Sequence, residues 1–233
     1  MSYLERYLHG EYKQVWAELL KLGTIEDLEI LKDAEAVATE TMERVQINVE
    51  RIIERLQNLN YEFTYPSEIY FPPSPDIEQK IEELAKLAGP IPMSVRFFYK
   101  MIGSVNLTGK HKSFFPEDYP DPLVIEPFPY FLDYEFPEWK QEMESRPAKE
   151  REKFRMDMSP DYYHKANVSG GLPYAIELPN PAVDAPFIEE WHKTTFIDYL
   201  RTTFQWGGFP GLRKSTFPPK EFLAAMTDDL APL

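Results

Sequence analysis

The chain has 233 residues and a formal charge of −14, from 39 acidic and 25 basic side chains. With 43% hydrophobic residues, including 16 Phe, 14 Tyr and 4 Trp, it can build a core and is not a disordered chain. It has no cysteine, which excludes disulfides, thiol chemistry and Cys-ligated zinc or iron–sulfur sites, and its acidic balance works against nucleic acid and anionic lipid. The 22 prolines are about twice the ~5% of average usage, so many connections are stiff. No apolar run reaches the ~20 residues that span a membrane. The opening, MSYLERYLHGEYKQVW, is charged throughout and has no apolar signal-peptide core. The expectation is a soluble, cytoplasmic protein. Its acidity serves either solubility alone or a basic partner.

Residues 3–22 read as a helix with Leu4, Leu8, Val15, Leu19 and Leu22 on one face and Trp16 and Leu20 beside them; Gly23 ends it. Thr24 with Asp27 has the form of an acidic capping box, and a short helical turn over 25–31 is expected. Ala38, Met42, Val45, Val49, Ile52, Leu56 and Leu59 then step by four and three, one apolar stripe on a long helix. The stripe either packs on the first helix as a hairpin or dimerises; the short connection favours the hairpin. The division expected is a helical arm over 1–62, a proline-rich linker over 63–75 and an α+β domain over 76–233. In NYEFTYPSEIYFPPSP the prolines block a helix and stiffen the chain.

Ser74-Pro75 marks a helix start, with Ile77, Ile81, Leu84 and Ala88 as the buried face and Gly89-Pro90 as the stop. A further helix over 93–102 buries Val95, Phe98 and Ile102 and ends at Gly103. SVNLTG and LVIEP read as strands. The charged run 140–155 reads as a solvated helix broken at Pro147. DYYHKANV and PYAIELP read as two strands around an SGGL turn, and VDAPFI as a third. Thr195 with Asp198 caps a helix with Phe196, Tyr199, Leu200 and Phe204 on its apolar face, and a last short helix runs from Pro218 to about Asp229. Helices flanking a cluster of strands give an α+β class.

The segment IEELAKLAGPIPMSVRFFYKMIGSVNLTG resembles the opening of the SUKH superfamily, which includes yeast cell-wall-synthesis regulators and bacterial toxin-immunity proteins. The resemblance lies in Ile81 and Leu84, then Ile91-Pro92, then Phe97, Phe98 and Tyr99 ahead of Gly103. TTFIDYLRTTF is similar to the family's closing helix. The resemblance spans roughly 76–206. The arm and the long segment 114–160 depart from the minimal pattern. It implies an α+β domain with a mixed or antiparallel sheet flanked by helices, and a role in binding without a shared catalytic set.

Chemistry-bearing motifs are sparse. His9, His111, His164 and His192 form no HExxH. Asp161 and His164 fall three apart on an expected strand, hence on opposite faces. Glu189 and His192 share a turn whose geometry the sequence leaves open. No Gly-x-Ser-x-Gly elbow, Walker loop or dinucleotide fingerprint is present. The expectation is no cofactor, no metal and no catalytic residue, although 39 carboxylates leave an acid/base pair open.

One stretch stands apart. FFPEDYPDPLVIEPFPYFLDYEFPEW, residues 114–139, holds nine aromatics, six prolines and seven carboxylates with no Lys or Arg. Either it is a stiffened recognition surface, or Phe114, Phe115, Phe128, Phe131 and Phe136 form a small second core whose acids merely face water. Phenylalanines gain most from burial, while Tyr and Trp can keep a polar edge wet. The candidate binding residues are therefore Tyr130, Tyr134, Glu135, Glu138 and Trp139, an acidic rim around aromatic anchors. The leading expectation is a non-enzymatic binding module, immunity-like or regulatory, for a basic, toxin-like protein. The alternatives are a carboxylate-based hydrolase with its site under 114–139, and a structural protein dimerising through helix 38–59.

Overall fold

The computed structural model describes residues 1–112, 119–214 and 220–233. Phe114, Phe115 and the expected helix start at Pro218 lie outside the described residues. The class is α+β, with short antiparallel strand pairs flanked by helices and a helical N-terminal region.

The first expected helix is two. α1 (Tyr3–Leu8) is capped by Ser2, whose hydroxyl accepts from the Glu5 N–H while the Glu5 carboxylate accepts from the Ser2 N–H. Gly10, at φ +98°, turns the chain into α2 (Tyr12–Lys21). α3 (Leu28–Asn58) is one helix of 31 residues and absorbs the separate turn expected over 25–31. Its cap is Asp27, which accepts from the Glu29 and Ile30 N–H groups. Ala38, Met42, Val45, Val49, Ile52 and Leu56 are all buried within the chain. The cover comes from α1, α2, the helix over 93–101 and the C-terminal helix, not from the first two alone. Leu8 is 51% exposed and contributes little. Burial leaves the stripe no free apolar face for a dimer. Asn48 pins the C-terminal tail, donating to the Ala231 carbonyl at 2.9 Å and accepting from its N–H at 2.7 Å.

The expected linker carries structure. β1 (Glu62–Phe63) straddles its start and β2 (Tyr70–Phe71) lies within it. After α4 (Ile77–Ala88) and α5 (Met93–Met101) come β3 (Ser104–Asn106), β4 (Gly109–Lys110) and β5 (Val124–Ile125). β1 pairs with β4, and β2-β3-β5 form a three-stranded antiparallel sheet. Prolines at 66, 72 and 73 flank these strands without occupying ladder positions, so pairing survives them. Gly103, at φ +91°, lets the chain pass against the Phe71 carbonyl, where a Cβ would collide.

α6 (Phe128–Tyr130), a π-helical turn (Phe131–Glu135) and α7 (Phe136–Ser145) follow without a break. From Phe128 on, the segment is therefore helical, not the irregular layer that its prolines suggest. Pro137 cannot donate to the Asp133 carbonyl and its ring crowds that position; the turn widens, and the Phe136 N–H bonds to the Phe131 carbonyl five residues back. The helix of the charged run ends at Ser145, just before Pro147, and β6 (Phe154–Ser159) begins inside the run's tail. β6 pairs antiparallel with β7 (Tyr174–Leu178), with a bulge at Asp157/Ser159. The expected strand DYYHKANV is instead α8 (Tyr162–Lys165), because Asp161 accepts from the His164 N–H at 2.7 Å and caps a helical turn after Pro160. VDAPFI makes only isolated bridges. α9 (Phe196–Gln205) is capped by Thr195 and buries the expected Phe196, Tyr199, Leu200 and Phe204. α10 (Lys220–Thr227) ends within the expected range.

The core is continuous from α1 through α3 to β6, β7 and α9. Two helix starts share one buried carboxylate: Asp184 accepts from the Ser94 hydroxyl in α5 at 2.7 Å and from the Ile197 N–H of α9 at 3.4 Å. Among the described residues, no helix is long and apolar enough to cross a membrane.

Candidate functional site

The turn from Pro127 to Trp139 splits its side chains by chemistry. Phe128, Phe131 and Phe136 are buried. Phe128 and Phe131 pack edge-on against Tyr99 at 5.0 and 5.9 Å, and Phe136 against Phe154 at 5.3 Å. Tyr130 and Tyr134 stand outward, 43% and 62% exposed, with rings 6.1 Å apart and inclined by 31°. They lie one helical turn apart, so the pair presents a continuous aromatic surface.

Of the five candidate residues, Tyr130, Tyr134 and Glu138 face solvent. Trp139 is half-buried, stacked near Phe136 and Phe154, and its indole N–H is buried without a hydrogen-bond partner among the described residues. Glu135 also turns inward, and its Oε2 accepts from the Asp157 N–H of β6 at 3.2 Å. It is therefore not a rim charge, as the sequence suggested. It forms the floor of an acidic cluster with Glu126, Glu138 and Asp157.

Burial pushes the Glu135 carboxyl up to about 8, helped by the Asp157 charge and, more weakly, by Glu126 and Glu138; the Asp157 N–H opposes the shift. Burial pushes Asp157 up as well, against Arg155, whose Nε lies 3.4 Å from it. Glu126 is raised by burial and by Glu68. The Tyr130 hydroxyl is raised by burial and then by Glu135, Glu126, Glu138 and Asp157, so four carboxylates act on one exposed ring. Among the described residues, Glu126, Glu135 and Glu138 form no ion pair. An arriving cation would meet Glu126 and Glu138, which form no ion pair among the described residues, and two exposed π-faces.

A second polar cluster lies elsewhere and was not anticipated. Lys165 Nζ sits 2.6 Å from Asp121 Oδ1, with both side chains fully buried. The Tyr174 hydroxyl donates to Asp121 Oδ2 at 3.2 Å, and Lys165 lies over the Tyr174 ring. Burial pushes Asp121 up and Lys165 down, each against the pull of its partner. Glu190 joins from the next loop: its Oε1 is 2.5 Å from His192 Nδ1, and its Oε2 accepts from the Thr194 hydroxyl at 3.1 Å. Burial pushes Glu190 up, but the His192 contacts prevail and hold it below the usual carboxylate range. The partner of His192 is thus Glu190, not Glu189. Asp161 and His164, expected on opposite faces, also meet, at 3.2 Å.

A cleft of about 650 Å³ opens between the β1–β4 pair and α8, above Asp121 and Lys165. The Lys165 amine and its Asp121 partner are enclosed beneath this cleft. Among the described residues, no three of His, Asp and Glu converge as ligands for a metal ion. No signal in the sequence links Asp121 to Lys165, 44 residues apart. Glu126 and Asp157 were legible only as ordinary acids.

No family model, curated protein or solved structure matches the chain.

Proposed function

We propose that the chain is a non-enzymatic, cytoplasmic binding module of SUKH type, immunity-like or regulatory, whose Tyr130–Tyr134 face receives a basic protein. The observation that carries this reading is the exposed tyrosine pair set over Glu126, Glu135 and Glu138, three carboxylates without an ion pair among the described residues. Like charges held together at a partly buried site raise each other's energy. A lysine or arginine brought to them relieves that repulsion and gains cation–π contact with the rings. The net charge of −14 adds long-range attraction for a basic protein and works against nucleic acid.

The test is capture of the partner from the source cells, followed by association kinetics. Glu138→Lys slows association and flattens its salt dependence, because rim charges act mainly on encounter. Tyr134→Ala speeds dissociation, because an aromatic anchor acts in the bound state. A captured partner whose kinetics neither change alters would remove this face from the account.

A carboxylate-based hydrolase is the second reading, and one observation favours it. Glu135, pushed up to about 8, holds a proton at neutral pH as a general acid must. Turnover in a broad hydrolase screen that vanishes with Glu135→Gln would select this reading over the first.

A further inference from the structure

We infer that the basic partner carries a large apolar side chain close to its cation, and that this side chain enters the groove between α4 and α7. The inference rests on the proposed docking of a basic protein at Tyr130 and Tyr134, and it adds the second half of the recognition motif.

The groove has a volume of about 450 Å³, within the ~300–1,000 Å³ typical of ligand pockets. Its apolar lining is Leu87 from one wall and Leu132, Phe136 and Pro137 from the other. Leu87 is 51% exposed on α4, whose buried face is Ile81 and Leu84. It falls in line with Lys80 and Glu83, at helical spacing on the outward side. A leucine there neither serves the core nor suits a solvated stripe.

The opposite wall belongs to the same continuous helical stretch, from α6 through the π-helical turn into α7, that presents the tyrosines. Pro137, on the groove wall, falls three residues after Tyr134 and so neighbours it on the helix surface, and a segment lying across this ridge reaches both surfaces. The charge on the rim also fits. Lys80 is engaged by Asp76 at 3.0 Å and Lys140 by Glu144 at 4.0 Å. Among the described residues, Glu83 and Asp133 form no ion pair, so the rim continues the unneutralised charge of the tyrosine face. An apolar anchor in a pocket beside complementary charge is the usual anatomy of a strong contact.

The experiment uses a library of ten-residue peptides with arginine fixed at the centre and the flanks randomised, captured on the full-length protein and sequenced. The control library has glutamine at the centre. The expected result is enrichment of Leu, Ile, Met or Phe at a fixed offset from the arginine. For a resynthesised winner, that residue changed to Ala loses about tenfold in affinity. Leu87→Asp and the milder Leu87→Gln remove the apolar preference and keep the arginine preference, with unfolding midpoints matched to the parent. Apolar enrichment that is absent, or unchanged by both Leu87 variants, overturns the groove and leaves the tyrosine face standing. Equal capture of the glutamine library overturns the tyrosine face itself.

Discussion

Glu135 Oε2 accepts a hydrogen bond from the Asp157 backbone N–H at 3.2 Å, which ties the π-helical turn to the middle of β6. The contact brings a second carboxylate, Asp157, toward the first. Together they give the exposed tyrosines an acidic floor instead of a rim of freely solvated charges.

The pH dependence of stability follows from that placement. Glu135 has an ordinary value of 4.5 and is raised to about 8 in the folded chain. Below pH 4.5 folded and unfolded chains both hold the proton, and its contribution is fully present. As pH climbs from 4.5 to 8 the unfolded chain ionises first, and the contribution is lost. Glu135→Gln stays neutral throughout. It should match the parent near pH 5 and exceed it near pH 8.5 by on the order of 2 kcal/mol in urea unfolding.

The same linkage acts on binding. A cation docked beside Tyr130 favours the ionised form of Glu135, so docking releases a proton. Affinity for an arginine peptide should therefore rise several-fold, roughly 3- to 10-fold, between about pH 6 and pH 8.5. The rise should disappear in Glu135→Gln. Isothermal titration in two buffers of different ionisation enthalpy would register the released proton directly.

The buried pair gives a double-mutant test. Lys165→Met leaves the Asp121 carboxylate enclosed and unpaired, and should cost about 3–5 kcal/mol in chemical denaturation. Adding Asp121→Asn removes the orphaned charge, suits the φ of +48° at this position and keeps an acceptor for the Tyr174 hydroxyl, and should restore most of that loss. Strict additivity of the two changes would mean that the pair contributes nothing as a pair.

Asp184 ties two helix starts. Asp184→Ala deprives the Ser94 hydroxyl and the Ile197 N–H of their acceptor. The expected loss is about 1–3 kcal/mol, with hydrogen exchange quickened at the first turns of α5 and α9.

Helices with a clean apolar period were legible in the sequence. α4, α5 and α9 lie where Ile81, Phe98 and Thr195 placed them, by apolar spacing for the first two and by the Thr195 cap for the third; α4 begins at Ile77, after Asp76, and not at Ser74-Pro75. β6 was not, although Phe154, Met156 and Met158 alternate with period two; they sit at the end of a run dominated by charge, and the helix-like composition masked them. α8 was mistaken for a strand because its tyrosines favour strands, whereas the Asp161 cap decides it. At the site, the outward Tyr130 and Tyr134 and the inward phenylalanines followed from side-chain polarity alone. The inward turn of Glu135 did not, because it depends on where β6 passes. The Asp121–Lys165 pair likewise comes from contacts across the chain that no local pattern carries.

The most direct test of the docking face is a titration of the isotope-labelled protein with a short arginine-rich peptide, followed by backbone amide and tyrosine ring resonances. The account predicts shifts concentrated at Tyr130, Tyr134, Glu135 and Glu138, with Leu87 following when the peptide carries a leucine. Lys110 to Lys112, across the separate cleft, should remain still. Shifts spread evenly over the acidic surface, or centred on α3 or the cleft with Tyr130 and Tyr134 unmoved, would contradict it.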